Sequence, residues 1–235
     1  MPEDSLVLAG NLSIIIPVYD EAKIIVNCLT LLQPLRHQGV EILLVDGGSR
    51  DETVVLSESL VNKVIHSETC RAQQMNAGAA VASGRYCLFL HADTQLPKEF
   101  IKLCLHWLPS AVSWGFFPVK LSDVHWLLRW VERGINWRST VTYVATGDQA
   151  LFFERKFFKN LGGFRDIPLM EDIAISKCAR QLAKPCISSE RVITSSRRWC
   201  KNGIIKTIIL MWAFRLAYWV GINPRHLADI YSHCR

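Results

Sequence analysis

The sequence contains no G-x-G-x-x-G run and no two cysteines in a C-x-x-C spacing. The first absence removes the dinucleotide-binding fingerprint, and the second removes a zinc knuckle or a redox dithiol. Eight cysteines stand scattered at 28, 70, 87, 104, 178, 186, 200 and 234, several inside apolar runs where a thiol packs as a small hydrophobe. Free thiols of this kind predict a reducing, cytoplasmic setting. The start Met1-Pro2-Glu3-Asp4 is acidic and no long apolar run precedes Asn11, so no secretory leader is expected. A long uncharged apolar run is also missing. The nearest approach, 203–222, carries Lys206 and Arg215, and a basic residue in mid-span costs roughly 2.5–3.5 kcal/mol. That segment is expected to be a buried or membrane-surface helix rather than a span, although its polar positions gather on no clean face. Internal repeats, low-complexity tracts and linkers are absent too, so residues 1–235 read as a single domain.

Half of the residues are hydrophobic and a fifth are charged, a globular balance. Lys and Arg number 27 against 21 Asp and Glu, a formal charge of +6. This suits phosphate-bearing ligands or the inner face of a membrane, and ordinary solubility charge would look the same. The basic residues form no single stripe, so nucleic acid is not an expected partner.

The first ninety residues alternate strand and helix. Leu12–Pro17, Glu41–Val45, Lys63–His66 and Tyr86–Leu90 are short β-branched or aromatic runs that read as buried strands. Between them, 22–35 has apolar residues at helical spacing, Ser49-x-x-Glu52 reads as a capping box with a helix from about Asp51, and 72–82 is a helix ended by Gly84. This order predicts an α/β fold, a mostly parallel sheet with helices on both faces. Ligands bind such sheets at the carboxyl ends of the strands. Further on, 99–108, 124–138 and 171–182 read as helices, 149–153 as a strand and Gly162-Gly163 as a turn.

Polar residues collect at the strand ends. In V-D-G-G-S-R-D, Gly47 and Gly48 permit a sharp turn, and Asp46 can accept hydrogen bonds from a base or a ribose, or simply cap the turn. In H-A-D-T, Asp93 can offer one oxygen to Mg²⁺ or Mn²⁺, or be a lone acidic turn residue. In M-E-D, Glu171 and Asp172 open a helix whose dipole favours acids, and either carboxylate can instead take a proton from a hydroxyl. Arg197 and Arg198, followed by Trp199, can clamp phosphate or sit in solvent.

Taken in order, S-I-I-I-P-V-Y-D-E (13–21), V-D-G-G-S-R-D-E-T (45–53), R-A-Q-Q-M-N-A-G (71–78), H-A-D-T (91–94), T-G-D-Q (146–149), G-G-F (162–164), M-E-D (170–172) and S-R-R-W (196–199) resemble glycosyltransferase family 2 with its GT-A, Rossmann-like fold. The wording is similar to a bacterial subset usually labelled arsenosugar-type. The resemblance implies a donor half over about 11–98, an acceptor half over about 99–200 and a helical C-terminal segment, 201–235. It implies a nucleotide-sugar donor, recognition of a uracil base through Asp46, and donor contacts from Pro17, Tyr19, Glu21, Gly48, Ser49, Arg71, Asn76 and His91. Asp93 would be the metal ligand. Gly147, Asp148, Gln149, Arg197, Arg198 and Trp199 would shape the acceptor and phosphate side. Asp172 would be the catalytic base with Glu171 beside it, in a single inverting displacement.

Two departures qualify this. His91 stands where the family's D-x-D motif has its first acid, and Ser195 replaces the Gln of the processive Q-x-x-R-W motif, which favours single transfer. The acceptor is expected to be lipid-linked or a small hydrophobic molecule, flanked by the aromatic stretches 107–117 and 126–137, unless those tryptophans are simply core. The rival reading is a catalytically weakened nucleotide-binding or membrane-associated scaffold. A nucleotidyltransferase fits less well, because the loop after the first strand is acidic and glycine-free.

Overall fold

The computed structural model describes residues 10–107, 110 and 112–233. The acidic start, Leu108 and Cys234 lie outside the described residues. Strands β1 (Leu12–Val18), β2 (Glu41–Asp46), β3 (Lys63–His66) and β4 (Tyr86–Phe89) are parallel neighbours in the order β3-β2-β1-β4. The chain reverses its direction of travel across the sheet between β1 and β4, which opens a crevice at their carboxyl ends. The sheet continues through β8 (Phe152–Glu154), antiparallel to β4, then β6 (Trp114–Phe116) and β9 (Cys186–Ile187). A small second sheet joins β5 (Thr94–Gln95), β10 (Val192–Thr194) and β7 (Val119–Leu121).

Side chains alternate across β1, and each face has its own core. Ile14, Ile16 and Val18 pack with Leu29 and Leu32 of α1 (Ala22–His37). Ile15 points the other way, with Leu43 and Val45, onto Ala72, Met75 and Ala79 of α3 (Arg71–Val81). Gly78 lets α3 settle closely there. A Cβ on it would stand 2.4 Å from Ile15 Cγ2 and 3.0 Å from Val45 Cγ2. Gly78→Ala is therefore expected to destabilise the fold by about 1–2 kcal/mol, overpacking outweighing the gain in helix propensity. Calorimetric melting checks this: a higher melting temperature would show that the sheet yields freely.

Helices α2 (Thr53–Ser57), α4 (Phe100–Trp107), α5 (Trp126–Thr142), α6 (Arg155–Asn160), α7 (Glu171–Leu182), α8 (Arg197–Asn202), α9 (Ile204–Trp219) and α10 (Pro224–His233) complete the chain. Several local expectations are corrected. The helix after β2 starts at Thr53, not Asp51, and no capping box forms at Ser49, because the polar side chains of this turn are spent on the loop after β1. Gly84 does not cap α3, whose C-cap is Ala82; a Cβ on Gly84 would lie 2.7 Å from the Leu12 carbonyl carbon. The stretch 149–153 is a 3₁₀ turn (Gly147–Gln149) followed by β8. In 107–117, Trp114, Phe116 and Phe117 are fully buried and Trp107 stacks on Phe152 at 4.5 Å, so these four aromatic side chains pack in the core. Segment 203–222 is a helix exposed on one side and packed on the other, not a buried one; among the described residues no helix is long and apolar enough to cross a membrane.

Candidate active site

Two loops interlock at the ends of β1 and β2. The Asp20 and Glu21 amides donate to Ser49 Oγ and Thr53 Oγ1 at 3.0 and 2.8 Å, and the Ala22 amide donates to Asp51 Oδ2 at 3.1 Å. The Arg50 amide returns a bond to Asp20 Oδ1 at 2.7 Å. Behind them the Gln74 side-chain amide, buried in α3, donates to the Val18 and Val45 carbonyls at 2.7 and 2.9 Å. It ties the two strand ends together where the parallel ladder runs out. Gln74 lies inside the R-A-Q-Q-M-N-A-G segment, yet nothing in the sequence singles it out for a role of its own.

Asp46 is buried and accepts from the Gly48 and Ser49 amides at 3.1 Å, with His66 Nδ1 at 3.5 Å from its Oδ2. It therefore does cap its own turn, with Gly48 at φ +87°, a backbone region closed to most side chains. Tyr19 is exposed at the mouth of the same crevice, and Pro17 pairs with Val45 inside the sheet. β1 alone separates β2 from β4, so about 10 Å of strand spacing lies between the exits that carry Asp46 and Asp93.

A second, acidic group of residues forms beside β4. Burial raises the Asp93 carboxyl above its usual range, Arg71 opposes this, Asp148 adds to it, and Arg197 opposes it again. These four side chains therefore share one field. Asp93 also lines a cavity of about 240 Å³ with Asn27, Cys28, Ser122, Ser195 and Arg197. The Cys28 thiol is pushed up to about 12, by burial first and by Asp93 next, so it is no thiolate at neutral pH. Arg197 closes over the loop after β1, its Nη2 4.0 Å from Glu21 Oε2. Arg198 and Trp199 lie half-buried in the first turn of α8 behind it.

Asp172 stands at the N-terminus of α7. Its Oδ2 accepts from the Gly147 amide and its Oδ1 from the Ile173 amide, both at 2.7 Å. Each oxygen keeps a free lone pair, and the side chain remains partly open where Glu171 is buried. Burial raises both carboxyls; Glu171 reaches about 7, helped by the charge of Asp172 and opposed by Arg71. Met170 precedes them at φ +70°, a left-handed conformation costing a non-glycine residue about 1 kcal/mol. Its side chain is locked in place by Val144, Ile173, Phe214 and Leu227, so α9 and α10 brace the turn that aims Asp172.

The structure thus brings Asp93, Asp148, Glu171, Asp172, Arg71 and Arg197 together, while Asp46 holds the neighbouring strand exit. Two residues leave the expected site. Asn76 donates to the Phe164 carbonyl at 2.8 Å and accepts from its amide at 2.9 Å, pinning the Gly-Gly-Phe turn rather than a donor. Gln149 is fully buried and bonds Phe117 O, Ser139 Oγ and the Thr146 amide, so it is scaffold. The His91 ring packs against Gly147: a Cβ there would meet its Cε1 and Nε2 at 2.7 Å. One residue was missed. The Arg138 guanidinium on α5 is buried, none of its nitrogens has a hydrogen-bond partner among the described residues, and it faces the charges of Asp148 and Asp172. Its only sequence signal was a basic residue on a tryptophan-rich helix.

The parallel β3-β2-β1-β4 sheet, with an acidic group at the switch point and a small second sheet beside it, is the GT-A architecture. The chain belongs to a family within it: residues 13–159 match the model of glycosyl transferase family 2. A PGL/p-HBAD biosynthesis glycosyltransferase of Mycobacterium bovis (strain BCG / Pasteur 1173P2) is 36% identical over 168 residues, 66% of this chain and 64% of that protein. Glycosyltransferase GlyG of Streptococcus pneumoniae is 29% identical over 98 residues, 39% of this chain and 33% of that protein. The chain therefore spans less than two thirds of the length of these relatives. In structure it resembles S. aureus TarS 1-349 in complex with UDP-GlcNAc, at a TM-score of 0.65 and 19% identity, covering 79% of this chain and 58% of that one. It also resembles the mannosyltransferase PcManGT of Pyrobaculum calidifontis in complex with GDP-Man and Mn2+, at 0.63 and 17%, covering 95% and 69%.

Proposed function

We propose that the chain transfers one sugar from a nucleoside-diphosphate sugar, a UDP-sugar in particular, to an acceptor hydroxyl, with inversion at the anomeric carbon. The observation that carries this is the meeting of Asp93, Asp148 and Asp172 with Arg71 and Arg197 at the switch point. The UDP-GlcNAc and GDP-Man complexes of the structural relatives support a nucleotide-sugar donor. Ser195, in place of a glutamine, supports single transfer.

Asp46 and the loop after β1 would take the base and ribose, Arg71 and Arg197 the diphosphate. Asp172 would take the proton of the acceptor hydroxyl as its oxygen attacks the anomeric carbon from the face opposite the departing nucleotide. The bond to the diphosphate oxygen breaks and its electron pair leaves with the nucleoside diphosphate. The single hard oxygen ligand Asp93 fits Mg²⁺ or Mn²⁺ held largely by the substrate's own phosphates, since among the described residues no three such ligands cluster. Such an ion, when bound, offsets charge on the leaving diphosphate. The acceptor would lie on the α5 side of Asp172, where tryptophans suit a lipid-linked or small hydrophobic molecule.

Titration calorimetry of UDP with Mn²⁺, and again with a chelator, tests the donor assignment. Binding is expected to weaken by roughly tenfold or more without the ion. Metal-independent UDP binding would favour a scaffold of the same fold, and no binding at all would remove the donor assignment.

A further inference from the structure

Helix α9 carries two opposed stripes. Thr207, Leu210, Phe214 and Ala217 face inward onto the cluster around Met170. On the other side Ile205, Ile209, Trp212, Leu216 and Trp219 recur at spacings of four, three, four and three residues, and all five are exposed. At about 100° per residue they lie within about 40° of one line. Trp212 and Trp219 are 71% and 75% exposed. The helix it packs against repeats the arrangement: on α5, Trp126, Trp130, Trp137 and Val141 face solvent, while Leu128, Glu132 and Ser139 are buried on the reverse. Five of the chain's eight tryptophans therefore stand in solvent on two touching helices.

Single exposed apolar residues are ordinary, but stripes of them mark contact surfaces. Tryptophan is the residue that concentrates at the membrane–water boundary, its ring in the apolar layer and its N–H toward water. The charge around the stripe fits an anionic layer. Lys206 and Arg215 flank it on opposite sides, where long side chains reach headgroups while their stems lie on apolar surface. Arg133 sits over the Trp130 ring at 5.1 Å. From Arg191 onward the sequence holds eight Arg and Lys against one acid, Asp229. A second copy of this chain would bring the same basic surface against itself, like charge on like.

We propose that the outward faces of α5 and α9 dock this protein on an anionic lipid surface, as in-plane helices and not as spans. The surface needs no transfer chemistry; its bearing on the acceptor takes the proposed reaction as given. Phe214, on the inner stripe of α9, buttresses the Met170 turn that aims Asp172. Docking would therefore set the acceptor side against the layer that supplies lipid-linked acceptors.

Co-sedimentation of the full chain with vesicles of phosphatidylcholine containing roughly 30 mol% phosphatidylglycerol tests this, against pure phosphatidylcholine. Binding is expected only to the anionic vesicles, with a blue shift of tryptophan emission and release by high salt. The double variants Trp212→Ser/Trp219→Ser and Trp126→Ser/Trp130→Ser are each expected to weaken it by roughly tenfold. Both should melt as the parent does and keep its UDP affinity, since none of the four residues lies in the donor site. Failure of the parent to bind anionic vesicles overturns the proposal. So does equal binding to both vesicle types, or sedimentation-velocity evidence of a parent dimer that these substitutions dissociate, which would make the face a self-association surface. Loss of UDP binding in the parent would strike the donor reading and leave the docking result standing.

Discussion

Replacing Asp172 by Asn is expected to lower kcat by about 10²–10⁴, the usual worth of a general base. UDP affinity in the presence of Mn²⁺ should stay within about twofold of the parent, because the proposed role of Asp172 is toward the acceptor hydroxyl and not the nucleotide. The substitution keeps an oxygen for the Gly147 amide, so the 3₁₀ turn at 147–149 should hold its place. Asn cannot accept a proton; the negative charge facing Arg138 and the bond from the Ile173 amide go with it, local losses at the first turn of α7. Unchanged turnover would take Asp172 out of the mechanism, and loss of UDP binding would show that the turn had collapsed. The same carboxyl pair sets the pH dependence. Burial raises both groups first; the charge of Asp148 adds to this at Asp172, and the charge of Asp172 adds to it at Glu171, which goes from 4.5 to about 7. The base must be ionised to work, so the rising limb of kcat/KM is expected above the ordinary aspartate range, in the direction in which burial moves Asp172. Asp148→Asn removes the neighbouring negative charge that raises Asp172, which eases ionisation of Asp172 and moves that limb to lower pH. An unmoved limb would show that Asp148 and Asp172 do not share a field. For stability the sign is opposite. The contribution of Glu171 is fully present below 4.5 and is lost as pH rises through about 7, since ionising a buried carboxyl works against the fold.

The first ninety residues were legible because each of their strands is a short apolar run bounded by turn residues, and parallel order follows from the alternation with helices. The second sheet was not. β5 has two residues, and its pairing joins Thr94 to Thr194, a hundred positions away, so no local pattern could announce it. The acids at 93, 148 and 172 could be picked out because their chemistry is specific and their neighbours are motif-like. Amides misled for the opposite reason. Asn76 and Gln149 sit inside motifs yet spend both ends of the amide on backbone, the work that holds a turn where acids must converge. Arg138 went unread because a buried cation shows itself only when helix α5 is laid against the 147–149 turn.

Asp93→Asn is expected to abolish the dependence of UDP affinity on Mn²⁺ and to lower turnover by about 10²–10³-fold, several kcal/mol at roughly 1.4 kcal/mol per decade. His91 packs on Gly147, and among the described residues no three metal-binding side chains gather, so Asp93 is the hard oxygen best placed beside the two arginines. An amide oxygen bears no charge and binds such ions far more weakly. The same change should leave the fold at least as stable, because burial already opposes the Asp93 charge more than Arg71 and Arg197 favour it. Melting temperature and UDP titration on one variant thus separate a carboxylate kept for function from one kept for structure. A variant that melts lower yet still responds to Mn²⁺ would assign Asp93 to the scaffold and pass the ion to Asp148, the other carboxylate in that field.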